Sequence, residues 1–183
     1  MHLVLPPFEL SPGTITCLHI PHGFRETGRA IDPQLFQLAA RLGKEIFIAR
    51  PAGFEAGTGG LSVTETSAGW LSRVAGISEQ AASQTNATLG VKVAERVAHN
   101  AGTPRTVLGI SAALLKQPEV LVYSTDALDI EGCRTVHRFV ASRCSSLCVV
   151  HISYPSVFGD GTPHPRDCPR GAKCVEISES AKV

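Results

Sequence analysis

Residues 110–124 read ISAALLKQPEVLVYS and place a helical pattern directly before an apolar strand pattern. Pro118 ends the helix predicted over residues 109–117, because proline lacks an amide hydrogen and its ring clashes with the preceding turn. The run EVLVYS, residues 119–124, has no polar alternation, which is typical of a parallel strand covered on both faces. A helix that leads into a buried strand is the repeating unit of α/β folds.

Three further apolar runs predict strands, namely TITCLHI (14–20), EIFIA (45–49) and SLCVVHIS (146–153). Helices are predicted over residues 32–43, with Asp32 as the N-cap and Gly43 just past the end, and over residues 130–144. Alternating strands and helices predict an α/β fold with a mainly parallel sheet. The side chains expected to share one helix face are Leu35, Leu38, Ala39 and Leu42 in the first helix, and Val136, Phe139 and Val140 in the second.

The remaining segments have a different composition. Residues 64–103 are rich in Ala, Ser, Thr and Gln and predict a small helical insertion with loops. The stretch VFGDGTPHPRDCPRGAK, residues 157–173, is rich in glycine, proline and charge, which predicts an irregular tail over about residues 157–183. Residues 1–183 together are expected to form a single domain, since 43% of them are hydrophobic.

Composition limits the classes of partner. The formal net charge is +1, which gives no broad attraction to nucleic acid or to an anionic membrane. Aromatic residues make up 5% of the chain, which disfavours a base-stacking surface. No apolar stretch approaches the roughly 18 residues of a membrane span, and the start carries no basic leader. We therefore expect a cytoplasmic protein that neither binds nucleic acid nor inserts into a membrane.

Three stretches, in the right order, carry a resemblance to a known family. FELSPGTITCLHIPHGFRETGRAI (8–31) resembles the opening of an ATP-binding cassette, where a strand leads into the phosphate-binding loop. LSVTET (61–66) resembles the entry to the cassette's helical subdomain. ALLKQPEVL (113–121) and ALDIEG (127–132) resemble the helix after the signature motif, the Walker B strand and the D-loop. The resemblance implies a P-loop NTPase-like fold with a reduced helical subdomain.

The residues that match the phosphate loop depart from the family pattern. Gly23 and Thr27 remain, but Ile20 and Arg25 stand at glycine positions. Glu26 takes the place of the lysine that neutralises the phosphates. A carboxylate at that point repels a triphosphate, so the resemblance implies a loop that has lost its usual ligand.

The Walker B positions depart as well. Tyr123 matches the aspartate that holds Mg²⁺, and Ser124 matches the glutamate that polarises the attacking water. Asp126 and Asp129 persist in the D-loop, but a D-loop carboxylate does not replace a metal ligand. Other motif positions that differ from the family are the signature (NAGTP, 100–104), the switch histidine (Tyr154) and the Q-loop glutamine (near Arg50 and Pro51).

These losses predict a pseudo-ATPase with no catalytic residue, no cofactor and no metal, because phosphoryl transfer depends on positioning and charge neutralisation. Its expected role is that of a protein-interaction, scaffolding or regulatory subunit of a larger complex. The expected partner is a catalytically active cassette, a membrane-complex subunit or a second copy of the chain.

Two alternatives remain open. Gly23, Thr27 and Arg25 could hold a nucleotide or another anion without turnover, as in a regulatory sensor. A small enzyme could instead pair Cys17 or Cys148 with His151 or His22, since a nucleophile and its base need only meet in space. The tail also contains His164, Cys168 and Cys174, with Cys144 and Cys148 upstream, but no C-x₂-C pair, so scattered thiols are expected there.

Overall fold

The computed structural model describes residues 2–20, 32–54, 64–154 and 168–180. The chain divides into two compact units. The first, the sheet unit, comprises Met1–Ile48, Glu119–Asp126 and Cys144–Val183, and the second, the helical unit, comprises Ala49–Pro118 and Ala127–Arg143. That the two act as a single domain stays a prediction.

The sheet unit confirms the α/β prediction. Its strands are β1 (His2–Val4), β2 (Ile15–His19), β3 (Ile46–Ile48), β4 (Val120–Ser124), β5 (Cys148–Ser153), β6 (Lys173–Glu176) and β7 (Ser178–Ser180), and its helix α1 is Asp32–Arg41. Five strands form an all-parallel sheet in the order β3-β4-β5-β2-β6. This parallel sheet, with helical segments connecting its strands along the chain, is consistent with a P-loop-like fold. The short strands β1 and β7 pair antiparallel in a separate two-stranded sheet.

Alternation along the strands buries one apolar face of the parallel sheet. Leu18 of β2, Val122 of β4 and Val150 of β5 lie on this face, and Leu35 of α1 packs with them. The rest of this cluster consists of Ile20, Val120, Cys148, Ile152 and Ile177. Burying side chains of this kind stabilises the fold by about 1.5–3 kcal/mol each.

Two expectations in the sheet unit are wrong. Leu42 is 45% exposed rather than on the buried face of α1, because the helix ends at Arg41 and Gly43 (φ 63°) turns the chain away. The end of the predicted irregular tail forms β6 and β7. The four residues of β6 are mostly exposed, so they carry no strand pattern of their own and depend on pairing with β2.

The helical unit includes residues 64–103, for which a helical insertion is predicted. It contains α2 (Ser67–Ala75), α3 (Glu79–Ala87), the 3₁₀ turn Val97–His99, α4 (Gly102–Leu115) and α5 (Ile130–Ala141). Thr66 and Ser78 cap the first two helices by accepting from Gly69 N and Ala81 N. The Trp70 side chain is buried in the core. Among the described residues no helix is long and apolar enough to cross a membrane.

The longer helices differ in detail from the sequence pattern. Helix α4 begins at Gly102, seven residues before the predicted start, because its first turns lack the apolar periodicity on which that prediction relied. Val136, Phe139 and Val140 of α5 are buried, as predicted. The polar residues His137 and Arg138 are both expected on the solvated face of α5. Arg138 is exposed and forms a salt bridge with Glu131 at 3.0 Å, but His137 is buried.

Gly109 allows helix α4 to approach the segment that matches the Q-loop. A Cβ at this position would overlap the backbone carbonyl of Arg50. The same segment is held by a hydrogen bond from Ala52 N to Arg105 O at 2.9 Å. A side chain at Gly109 would therefore force two backbone segments of the helical unit apart.

We expect Gly109→Ala to lower the free energy of unfolding by about 2 kcal/mol or more, as overpacking does. Gly102→Ala in the same helix is the matched control, since its Cβ would meet only the flexible end of the Leu128 side chain. The control should change stability by no more than about 1 kcal/mol. Denaturant unfolding of both variants measures the difference, and equal losses would contradict a close approach at Gly109.

Candidate functional site

The second face of the parallel sheet becomes polar toward the carboxyl ends of its strands. In α/β sheets this edge is where ligands bind. Ile15, Leu121 and Val149 form a buried apolar row on this face. One step further along, the pairing register aligns a row of four side chains across four strands, which are Tyr123, His151, Cys17 and Cys174.

His151 lies at the centre of this row and is fully buried. Its Nδ1 lies 3.2 Å from the Cys17 Sγ, and its Nε2 lies 2.9 Å from the Thr125 hydroxyl oxygen. The Tyr123 ring packs against the imidazole with centroids 4.9 Å apart. Both ring nitrogens thus have partners, which fixes the orientation of the imidazole in the interior.

The Walker B positions lie at the end of β4. Tyr123 is 1% exposed and belongs to the row beside His151. The Ser124 hydroxyl accepts a hydrogen bond from Asp126 N at 3.0 Å, which closes a tight turn after the strand. Both side chains are engaged in contacts within the sheet unit.

The next row on the same face brings polar side chains closer to the sheet edge. His19 lies in register with Ser153 on one side and with Glu176 on the other. The Cys168 Sγ, which comes from the tail, lies 3.9 Å from His19 Nε2 and 3.1 Å from the Cys174 Sγ. Cys17, His19 and Cys168 each offer one potential metal-ligand atom, and these three atoms lie within 4.8 Å of one another.

The predicted phosphate-loop residues Gly23, Arg25, Glu26 and Thr27 lie outside the described residues. Ile20, which matches the first glycine position, is described and directly follows β2. Its amide donates to Ser153 O at 3.0 Å, and its side chain belongs to the apolar cluster. This position is therefore part of the sheet's core.

Other motif positions have structural roles. The Asn100 side chain accepts from Ala94 N and donates to Arg96 O and Ser67 Oγ, so it holds loop and helix together within the helical unit. Tyr154, at the switch position, packs against the apolar cluster, on the face opposite His151. Asn100 and Tyr154 therefore both take part in the internal contacts of their own units.

The structure tests the proposed Cys–His pairs by geometry. It brings Cys17 and His151 together, as one pairing required, whereas Cys148 lies on the opposite, apolar face of the sheet. His22 and His164 lie outside the described residues. Sequence reasoning missed Thr125 and His19, although period-two spacing from Cys17 places His19 on the same face of β2.

The fold is similar to that of solved ABC transporter chains. An inward-facing ABC transporter assigned to the metal-chelate type aligns with a TM-score of 0.54 and 14% identity, over 80% of this chain and 70% of that one. A bacterial Atm1-family ABC exporter with ATP bound aligns with a TM-score of 0.50 and 16% identity, over 90% of this chain and 35% of the exporter. No family model and no curated protein matches the sequence. At such identities the likeness shows the fold alone.

The buried contacts of His151 lead to a stability prediction. Thr125→Val removes the hydroxyl group that lies 2.9 Å from His151 Nε2, so this buried ring nitrogen loses that hydrogen bond. We expect the free energy of unfolding to fall by about 1–3 kcal/mol. Ser124→Ala removes a hydrogen bond in the adjoining turn, and it should lower the free energy of unfolding by less than about 1 kcal/mol. Urea denaturation compares the two. An equal loss in both would mean that the Thr125–His151 contact contributes no more than an exposed turn bond.

Proposed function

We propose that this chain is a catalytically inactive ABC-ATPase-like protein that serves as an interaction, scaffolding or regulatory subunit of a larger complex. The proposal is carried by the residues at the end of β4, where the cassette family places two carboxylates. Here those positions hold Tyr123, which packs against His151, and Ser124, which accepts a hydrogen bond from Asp126 N. The similarity of the fold to ABC transporter chains supports the same proposal.

The donor set at these positions does not fit a magnesium ion. Mg²⁺ is bound through carboxylate oxygens and retained waters in octahedral geometry. A buried phenol and a hydroxyl that already accepts from Asp126 N supply no carboxylate. The proposed function therefore includes no phosphoryl transfer.

The residue that opens the phosphate loop supports the proposal. A loop that wraps phosphate needs backbone amides free to turn toward the anion. The Ile20 amide instead donates to Ser153 O, and its side chain packs in the core. The backbone hydrogen bonding between β2 and β5 thus continues into the first loop position.

A cassette without ATP is expected to use its helical unit for docking. Intact cassettes have two interaction surfaces, because they dimerise around ATP and couple to partners through the helical subdomain. A member that holds no ATP lacks the ligand that joins the dimer, so the helical subdomain is the surface that remains. In the helical unit Phe54 is 54% exposed, with the Arg105 guanidinium 5.6 Å from its ring centroid. Aromatic and arginine side chains are the usual anchors of protein interfaces.

The same unit has an open cavity of about 550 Å³ with both polar and apolar side chains in its lining. Glu79 and Glu95 line it, together with Asn86, whose buried Oδ1 has no hydrogen-bond partner among the described residues. An acceptor-rich cavity of this kind is suited to a lysine or arginine side chain of a partner protein.

A small Cys/His enzyme is the second candidate, because Cys17 and His151 lie at hydrogen-bonding distance with Thr125 on the far side of the ring. This arrangement has the form of a nucleophile, a base and an orienting group. Cys17, however, is 0% exposed, and a reactive thiol must reach its substrate. Selective labelling of Cys17 by a thiol-reactive probe would favour this candidate.

We expect the purified chain to release no phosphate from ATP above the uncatalysed rate, and to give no binding heat with ATP or ADP, with or without Mg²⁺. Isothermal titration and a phosphate-release assay measure the two properties. Glu26→Ala should leave both results, and the fold, unchanged, because the loop is expected to hold no ligand. A defined nucleotide affinity without turnover would favour the sensor alternative. Turnover that Tyr123→Ala or Ser124→Ala abolishes would overturn the proposal.

Cross-linking in cells followed by mass spectrometry tests the docking surface. We expect Phe54→Ala to reduce the recovered partner by about tenfold or more, which corresponds to the loss of one interface anchor. Phe36→Ala is the matched control, since Phe36 is also half-exposed (50%) but lies on α1 of the sheet unit. An effect of Phe36→Ala alone would contradict docking through the helical unit.

A further inference from the structure

Two donors come from strand β2. Cys17 and His19 are separated by one residue, so they lie on the same face of the strand. Both are buried, at 0% and 3% exposure. The Cys168 Sγ approaches them from the tail, and the three ligand atoms lie within 4.8 Å of one another.

A fourth donor lies beside these three. Cys174 of β6 is in register with Cys17 across the parallel pairing of β2 and β6. Its Sγ lies 3.1 Å from the Cys168 Sγ. All six cysteines lie in the described parts of the chain, and none of them forms a disulfide.

We propose that Cys17, His19, Cys168 and Cys174 form a zinc-binding site with three sulfur ligands and one nitrogen ligand. Zinc takes four such ligands in a tetrahedron, at about 2.3 Å from sulfur and about 2.0–2.1 Å from nitrogen, which sets ligand atoms about 3.4–3.8 Å apart. Two sulfur ligands would lie about 3.8 Å apart and sulfur and nitrogen about 3.6 Å apart. The observed 3.1 Å (Cys168 to Cys174) and 3.9 Å (Cys168 to His19 Nε2) would therefore change by less than about 1 Å when zinc binds. Thiolate and imidazole ligands in this combination select zinc over magnesium and calcium.

A neighbouring histidine supports the ligand set. The Cys17 Sγ lies 3.2 Å from His151 Nδ1. When zinc displaces the Cys17 thiol proton, the thiolate becomes an acceptor, so Nδ1 must carry the proton and donate it. Nε2 of the neutral ring then accepts from the Thr125 hydroxyl, 2.9 Å away. Such outer hydrogen bonds orient metal ligands and partly neutralise their charge.

The site joins the edge strand β6 to its neighbour β2 in the parallel sheet. Strand β6 is short and mostly exposed, and its packing alone stabilises it little. Zinc binding would attach it to β2, because the metal binds the folded arrangement and not the unfolded chain. Cys174 is exposed, which gives the ion a route of entry. This inference goes beyond the proposed function and does not depend on it.

Cobalt is the spectroscopic probe for the test. Full-length protein, reduced and freed of metal with a chelator, is titrated with Co²⁺ and then with Zn²⁺. We expect one cobalt per chain, with thiolate-to-cobalt charge-transfer absorption and the visible bands of tetrahedral cobalt, and with loss of both when one equivalent of zinc is added. Zinc should also raise the unfolding midpoint of the chain.

Cys168→Ser and Cys174→Ser are the informative variants, since both cysteines lie toward the surface. Each should raise the dissociation constant of the metal more than about tenfold, because the loss of a residue that only hydrogen-bonds to a metal ligand already has an effect of that size. Cys133→Ser is the matched control, because Cys133 is partly buried like Cys168 but lies on α5. The buried Cys17→Ser is compared with Cys148→Ser, which replaces an equally buried cysteine on the opposite face.

The proposal is overturned if reduced wild-type protein shows no thiolate-to-cobalt band, or if Cys133→Ser lowers metal affinity as much as Cys168→Ser. A Cys168–Cys174 disulfide in protein purified with reductant and zinc would also overturn it, since the pair would then be a redox couple.

Discussion

The parallel register of β2 between β5 and β6 is the constraint on which the site depends. It aligns Cys17 with His151 on one side and with Cys174 on the other. Side chains alternate between the two faces of a strand, so a slip of one residue would move this row into the apolar core and place Leu18 among the polar side chains of the other face. The burial of Leu18 and its neighbours on the opposite face fixes the register. Core packing and site geometry are therefore set by the same hydrogen-bond pattern.

The carboxyl edge of the sheet has the location of an α/β ligand site but a different chemistry from that of a nucleotide-hydrolysing cassette. A phosphate site needs positive charge and free amides, and magnesium needs carboxylates. The described edge offers thiols, imidazoles and hydroxyls beside the Glu176 carboxylate, with Tyr123 and Ile20 committed to packing. These donors suit a soft metal ion far better than a triphosphate. This chemical contrast links the proposed loss of catalysis with the inferred zinc site.

The sequence predicted those elements whose signals are local. Apolar runs located β2 to β5 to within two residues at each end, and the helix pattern placed Val136, Phe139 and Val140 in the interior. The expectations that failed involve residues whose environment is set by distant parts of the chain. Strand β6 is mostly exposed and forms only against β2, and His137 is buried on a helix whose polarity suggests a solvated position.

The sequence by itself determined the α/β class, the positions of β2 to β5 and the absence of carboxylates at residues 123 and 124, because these follow from hydrophobic pattern and residue identity. Only the tertiary structure decided which cysteines and histidines meet. Cys17 and Cys168 are 151 positions apart and belong to no spaced motif. Backbone pairing of β6 with β2 brings the chain segment that follows Cys168 next to Cys17. Periodicity describes the face on which a residue lies, whereas the order of strands in the sheet determines its neighbours on that face.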